Sequence, residues 1–377
     1  MDFSPLVNYI ESVLRAEKGV PGCDIKIMRQ HETLFRYQSG TCDYDAKVPV
    51  SGNELYFMYS CTKPITCAAA LQLVEQGKLE LDAPVSRYLP EYGKAFLLKD
   101  GVPTPVSKPI TVRHLFTMSA GMTYNRETEP ILQTIANDPH ATTQDLVNSF
   151  IRSPLSFEPG ERFQYSLCHD VLAAVIEVVS GMTFGSYLQK SIFDPLGMTD
   201  TGFVVPDDKL PRLAAQYTCP QTGTVIPAPM RNSFRLTDRF ESGGAGLYSS
   251  VEDYSRFADA MSNGGVGLTG AQILKPETID LMRSQQMDKY VMNNNFSTAA
   301  GPGYGYGLGV RTLISHADGQ RSSLGEFGWD GAAGSYMMSD PAYGLSIVFG
   351  MHVLSWPTCI GCGHAPMRDM TYDILGL

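Results

Sequence analysis

Ser60 and Lys63 stand three residues apart at the head of an apolar stretch, Ser60-Cys61-Thr62-Lys63-Pro64-Ile65-Thr66-Cys67-Ala68-Ala69-Ala70-Leu71. On a helix that spacing is one turn, so the Lys63 amine lies beside the Ser60 hydroxyl on one face. A seryl hydroxyl holds its proton too tightly to attack a carbonyl at neutral pH, and it needs a base within reach. Lys63 is the first candidate. A helix N-terminus adds partial positive charge and free N–H groups, which favour negative charge on the hydroxyl and on an attacked acyl oxygen. Ser-x-x-Lys also recurs by chance in 377 residues, so the reading depends on partners elsewhere.

Two segments offer partners. A Pro159-Gly160 turn leads into Tyr165, and an apolar stretch with helical spacing follows from Val171 to Val179. A tyrosine at such a junction either presents its phenol to a cleft or packs its ring with the hydroxyl satisfied locally. Further on, Gly325-Glu326-Phe327-Gly328-Trp329-Asp330-Gly331-Ala332-Ala333-Gly334-Ser335 precedes an alternating segment, Tyr336 to Ser339. Small residues let a substrate approach the backbone closely, as an oxyanion hole requires.

The Ser60-to-Thr66 segment, with Leu73-Val74-Glu75-Gln76-Gly77-Lys78-Leu79 and Leu81-Asp82-Ala83-Pro84-Val85, resembles the superfamily of class C β-lactamases and D-alanyl-D-alanine peptidases. Within it, the Ser-x-Thr-Lys-Pro-Ile-Thr start and the Gly325–Ser335 stretch are most similar to the family VIII carboxylesterases and related acyltransferases. Arg113 to Met122, Gly244 to Ser250 and Gly305 to Gly309 match as well, so the resemblance covers almost the whole chain. It implies Ser60 as the acylated nucleophile and Lys63 with Tyr165 as the proton-handling pair. It also implies an oxyanion hole from the backbone N–H groups of Ser60 and Ala332, and a substrate-facing third motif at Trp329-Asp330-Gly331.

The chain departs from the β-lactamase pattern in two informative places. Leu167 stands where the Tyr-x-Asn pattern has an asparagine, and Trp329 stands where β-lactamases keep a lysine. Losing either partner leaves a buried substrate amide or carboxylate unpaired, at a cost of about 1–3 kcal/mol. Esters are therefore the expected substrates. Asp330 replaces a glycine common in the esterase-like form. If it faces the cleft it attracts an amine, which keeps a D-aminopeptidase or amidase reading open beside the DD-peptidase and weak β-lactamase readings. The other expectation for Asp330 is a carboxylate turned away and satisfied by a neighbouring backbone group or cation. A non-catalytic ligand-binding relative is the remaining alternative, and joint retention of Ser60, Lys63 and Tyr165 weighs against it.

Composition narrows the function class. A net charge of −10 with no basic stripe disfavours nucleic acid as a partner. The first residues lack a basic stretch followed by an apolar one, and no later run approaches the ~20 apolar residues of a spanning helix. The expected protein is cytoplasmic, acts on a small-molecule ester or amide, and uses no cofactor. Eight cysteines are too sparse for a disulfide scaffold and read as reduced thiols. Cys359-x-x-Cys362-x-His364 has metal-like spacing but no second pair, so no metal is expected. Gly265-x-Gly267-x-x-Gly270 follows a helical segment where a dinucleotide turn needs a strand, and Thr117 to Gly121 lacks the strand that precedes a nucleophile elbow. His114, in an apolar setting, reads as a satisfied structural residue.

The elements that must position these groups are an α/β (α+β) set. Asp24–Met28 with Thr33–Tyr37, and Ser335–Ser339 with Leu345–Phe349, read as hairpins at the two ends of the chain. Between them the strong segments are helical: Thr66–Gln76, His114–Met118, Asp145–Ile151 and Val171–Val179. The expected fold is an antiparallel sheet flanked by helices and built from both termini, residues 1–58 plus 230–377. A mainly helical domain, residues 59–229, is inserted, and the active site lies in the cleft between them. Ser250 caps a helix to Met261. The segment from about Asn293 to Gly307 reads as a loop at the cleft mouth.

Overall fold

The structure, a computed structural model, describes residues 1–16, 19–220, 224–287, 301–317, 319–356 and 363–377. Its centre is a seven-stranded sheet of β1 (Gly22–Arg29), β2 (Glu32–Gly40), β3 (Tyr304–Tyr306), β4 (Arg311–Leu313), β5 (Phe327–Asp330), β6 (Tyr336–Asp340) and β7 (Leu345–Gly350). The order is β2-β1-β7-β6-β5-β4-β3, antiparallel throughout. The two ends of the chain meet where β1 pairs with β7, Ile25 opposite Phe349 and Ile27 opposite Ile347. Both expected hairpins are present; the strands of the first run well beyond the residues its alternation marks, and those of the second differ from expectation by at most one residue at either end.

The sheet is covered on both faces, so β1 and β7 are buried along almost their whole length, and the charged Asp24 and Lys26 of β1 are paired with Arg36 and Glu252. On one face α1 (Ser4–Leu14) and a C-terminal helix, Ala365–Leu375, pack Leu6, Ile10, Met367 and Tyr372 against Ile25, Ile27, Ile347 and Phe349. The helix Val251–Ser262 also lies on the sheet, where Ser339 Oγ donates to Ala258 O at 2.9 Å and Ser262 Oγ donates to Leu345 O at 2.9 Å. Ser250 caps that helix by accepting from Asp253 N at 3.1 Å, as its sequence indicates. The Gly265–Gly270 segment follows the same helix rather than a strand.

The inserted region is helical, and its axis is α2 (Thr62–Glu75), buried continuously from Thr62 to Leu73. A helix apolar on all sides belongs in an interior, and α2 packs against α3 (Cys168–Ser180) and β5. Outside the seven-stranded sheet, Leu55 bridges Leu213, and Tyr217–Thr218 pairs in parallel with Val353–Leu354 in a separate small sheet. Within the expected Asn293–Gly307 loop, residues 304–306 are instead the edge strand β3, and residues 293–300 lie outside the described residues. Among the described residues no single helix is long and apolar enough to cross a membrane.

Candidate active site

Ser60 sits in a single 3-10 turn, Tyr59–Cys61, that runs directly into α2. Tyr59 has φ +46°, a left-handed conformation that costs a bulky residue on the order of 1–3 kcal/mol. It is held there by burial and by its hydroxyl donating to Gln216 Oε1 at 2.5 Å. This sharp entry sets Ser60 at the start of the helix, 9% exposed, while Lys63 one turn on is completely buried.

Lys63 Nζ donates to Ser60 Oγ at 3.2 Å and to Gly244 O at 2.7 Å. It also lies 4.6 Å from the centre of the Tyr165 ring and 5.5 Å from that of Tyr124. Burial opposes an ammonium here, but the phenols of Tyr124 and Tyr165 and the Asp170 carboxylate outweigh it and hold the amine above its ordinary range. Burial in turn raises Asp170. Its Oδ1 accepts from Ser242 Oγ at 2.5 Å and Gly244 N at 3.2 Å, while Thr66 Oγ1 donates to Gly243 O at 2.7 Å. The Ser242–Gly244 segment is thereby tied down so that its last carbonyl meets Lys63.

Tyr165 arrives from the loop before α3. That loop is pinned to the preceding helical turn by Gly160 N donating to Ser119 O and Gln164 N to Met118 O, both at 2.8 Å. The phenol lies 2.8 Å from Ser60 Oγ. Trp329, at the end of β5, stacks on the Tyr165 ring at 5.8 Å and 14°, and its indole N–H donates to the phenol oxygen at 3.3 Å. Tyr306 packs edge-on against the same indole at 5.4 Å. Three separate chain segments thus converge on one hydroxyl.

The turn after β5 lies against the segment that carries Ser60. Ser335 Oγ donates to Met58 O at 2.9 Å, and Cys61 Sγ donates to Trp329 O at 3.6 Å. Gly331 is required: a Cβ there would lie 2.0 Å from Ser335 Oγ and 2.4 Å from Met58 O. Ala332 is exposed at the tip of this turn, and among the described residues its N–H takes no hydrogen-bond acceptor.

The remaining expectations resolve residue by residue. Asp330 does not reach for a substrate amine: its carboxylate is taken by Arg311 Nη1 and by His364 Nδ1, the latter at 2.9 Å. Leu167 is 4% exposed and lines a small hollow with Met122, Ile131 and Phe150, among helical core residues. Cys61 is fully buried, and burial pushes its thiol up to about 12, so it packs as a small apolar neighbour. His114 closes a capping box with Thr111, as a structural residue does. Cys359 and Cys362 lie outside the described residues, and both ring nitrogens of His364 are engaged by protein oxygens. Sequence reasoning missed Asp170 and the Gly244 carbonyl. The Gly244–Ser250 match marked the place, but a backbone acceptor has no side chain to reveal it.

The chain is 32% identical over 359 residues to esterase EstB of Burkholderia gladioli, with 88% of this chain and 86% of that one covered. It is 30% identical over 299 residues to the lovastatin esterase of Penicillium rubens, covering 72% and 73% of the two chains. Among solved structures it superposes on EstCE1, a hydrolase with promiscuous acyltransferase activity, with a TM-score of 0.79, 26% identity and 97% of each chain covered. Residues 7–357 match the family model described as Beta-lactamase, and the chain belongs to that family.

Proposed function

We propose that the protein is a serine esterase that works through an acyl-enzyme on Ser60. The observation that carries this reading is the meeting of Lys63 Nζ and Tyr165 OH on Ser60 Oγ, at 3.2 and 2.8 Å. Ser60 Oγ attacks the ester carbonyl and its proton passes to the Lys63–Tyr165 pair, which titrates as a unit. The pair accepts that proton only after losing one of its own, so that one of the two atoms facing Ser60 Oγ has a free lone pair. The indole N–H of Trp329 supports the phenol oxygen. The tetrahedral oxyanion is met by the N–H groups of Ser60 and Ala332. As the bond to the alkoxy oxygen breaks, the pair returns the proton to the departing alcohol. Water, or a second alcohol, then attacks the acyl carbon along the same path and frees Ser60.

The preference for esters rests on Trp329 and Asp330. The first leaves no ammonium for a substrate carboxylate. The second is occupied by Arg311 and His364, so it offers nothing to a substrate amine. The esterase names of two relatives point the same way.

The test is labelling by a fluorophosphonate and turnover of short-chain p-nitrophenyl esters, set beside D-amino-acid amides and a chromogenic cephalosporin. Ester turnover that vanishes with labelling in Ser60→Ala is the expected result. Faster turnover of the amides or the cephalosporin would replace the substrate class, and full activity in Ser60→Ala would remove the nucleophile.

A further inference from the structure

We propose that His364, with Asp330 and Arg311, forms a buried latch that sets the position of the Gly331–Gly334 turn and hence of the Ala332 N–H. In this role His364 is a positioning residue for acyl transfer at Ser60, and the inference rests on the reading of Ala332 as an oxyanion donor.

The latch is visible in how the imidazole spans the turn. Nδ1 lies 2.9 Å from Asp330 Oδ1, just before the turn, and Nε2 lies 2.9 Å from Gly334 O, at its end. Ala332 lies midway between the two anchor points. The Gly334 carbonyl has no hydrogen to give and an ionised Asp330 only accepts, so both ring nitrogens must donate. The ring is therefore an imidazolium, and Asp330 sits between two cations, with Arg311 Nη1 on its other oxygen. Buried charges of this kind are tolerated only when each is paired and hydrogen-bonded.

The imidazole itself has little freedom. It is 2% exposed, stacks on the Tyr336 ring at 4.6 Å and 23°, and meets Phe349 edge-on at 6.0 Å. Arg311 is held by the faces of Tyr304 and Tyr336 at 5.5 and 5.2 Å. The opposite flank of the turn is fixed by Ser335 Oγ on Met58 O, and the turn closes on itself through Gly334 N to Gly331 O at 2.8 Å. The Ser335 anchor reaches back to the nucleophile segment and the His364 anchor to the C-terminal helix. With both in place the Ala332 N–H has one position relative to Ser60. Such preorganisation matters because an oxyanion donor out of place costs about as much as one removed, roughly 10²–10³-fold in rate.

His364→Phe keeps the stacked ring and deletes both donors. The expected result is a kcat for p-nitrophenyl acetate, per fluorophosphonate-labelled site, lower by about 10- to 100-fold with KM within about twofold. The Kd of a phenylboronic acid, whose adduct with Ser60 is tetrahedral, should rise in the same proportion. Asp330→Asn should act in the same direction with a smaller effect. In ¹⁵N spectra, the ring nitrogens lost in His364→Gln should have imidazolium shifts in the wild-type protein.

A loss confined to the number of labelled sites, with rate per site and boronate affinity unchanged, would overturn the latch and leave the esterase reading standing. A neutral His364 ring in the spectra would do the same. Failure of the wild-type protein to label at Ser60 would overturn the acyl-enzyme reading and the latch with it.

Discussion

Lys63 and Arg311 are both buried cations within the same core, and they are held in opposite ways. Among the described residues no carboxylate lies within ion-pair distance of Lys63 Nζ, whose direct partners are a hydroxyl, a backbone carbonyl and the faces of two phenols. Asp170 acts on it only through space, its Oδ1 occupied by Ser242 and Gly244. Arg311 is fastened directly to Asp330, which His364 also grips. A cation clamped by a carboxylate has a fixed proton inventory and serves as framework. A cation held by neutral oxygens and rings leaves the hydroxyl beside it open to the proton movement that acyl transfer at Ser60, as proposed, needs.

Replacing each cation in turn tests that contrast most severely. Lys63→Ala should lower kcat/KM for a p-nitrophenyl ester by on the order of 10⁴-fold or more, with stability changed far less. Arg311→Leu strands Asp330 beside the imidazolium, and breaking a buried pair by removing one partner costs about 3–5 kcal/mol. Urea unfolding of both variants beside rate per labelled site decides the matter. Equal destabilisation with surviving turnover in Lys63→Ala would erase the distinction.

A finer test keeps the shape of the site and removes only the distant charge. Asp170 raises the proton affinity of Lys63, so Asp170→Asn should let the Lys63–Tyr165 pair release its proton at lower pH. Because the rate grows as that pair deprotonates, the acid limb of the kcat/KM profile should move down by about one pH unit. An unmoved limb would show that Asp170 only anchors the Ser242–Gly244 segment.

The proposed catalytic side of this contrast, as a meeting of side chains, was legible in the sequence. Ser60, Lys63 and Tyr165 carry their chemistry in side chains, and α2 advertises itself by an apolar run at helical spacing. The framework side was not. Strands β3 and β4 are three residues each, too short for alternation to register, and β3 fell inside what reads as a loop. Asp330 read either as facing the cleft or as turned away onto a backbone group or cation, and the sequence did not name Arg311 and His364 as its partners because they lie nineteen and thirty-four positions away. Hydrogen bonds between distant segments leave no periodic trace, and the Gly244 carbonyl leaves none at all.

The smallest expected effect compares histidines rather than cations. The His364 nitrogens both face acceptors, whereas His352 Nδ1 donates to Ala214 O at 2.8 Å and its Nε2 accepts from Phe57 N at 3.3 Å. That pairing admits only the neutral ring, and burial pushes His352 down to about 4. His169, also fully buried, is pushed down to about 3 by burial and by Lys63. In the unfolded chain each takes up a proton near pH 6.5, so below that value the unfolded state binds more protons and is favoured. Stability is therefore complete above about pH 6.5 and falls by about 1.4 kcal/mol per pH unit for each of these two histidines until the folded ring itself titrates. Over the descent to about pH 5, His352 accounts for about 2 kcal/mol, and His352→Asn should abolish that share of the slope in urea unfolding at the two pH values. His364, already charged in the folded state, should contribute no such loss, so His364→Gln should leave the acid slope as steep as in the wild-type protein. A slope flattened by His364→Gln and untouched by His352→Asn would reverse both protonation assignments and with them the basis for the latch.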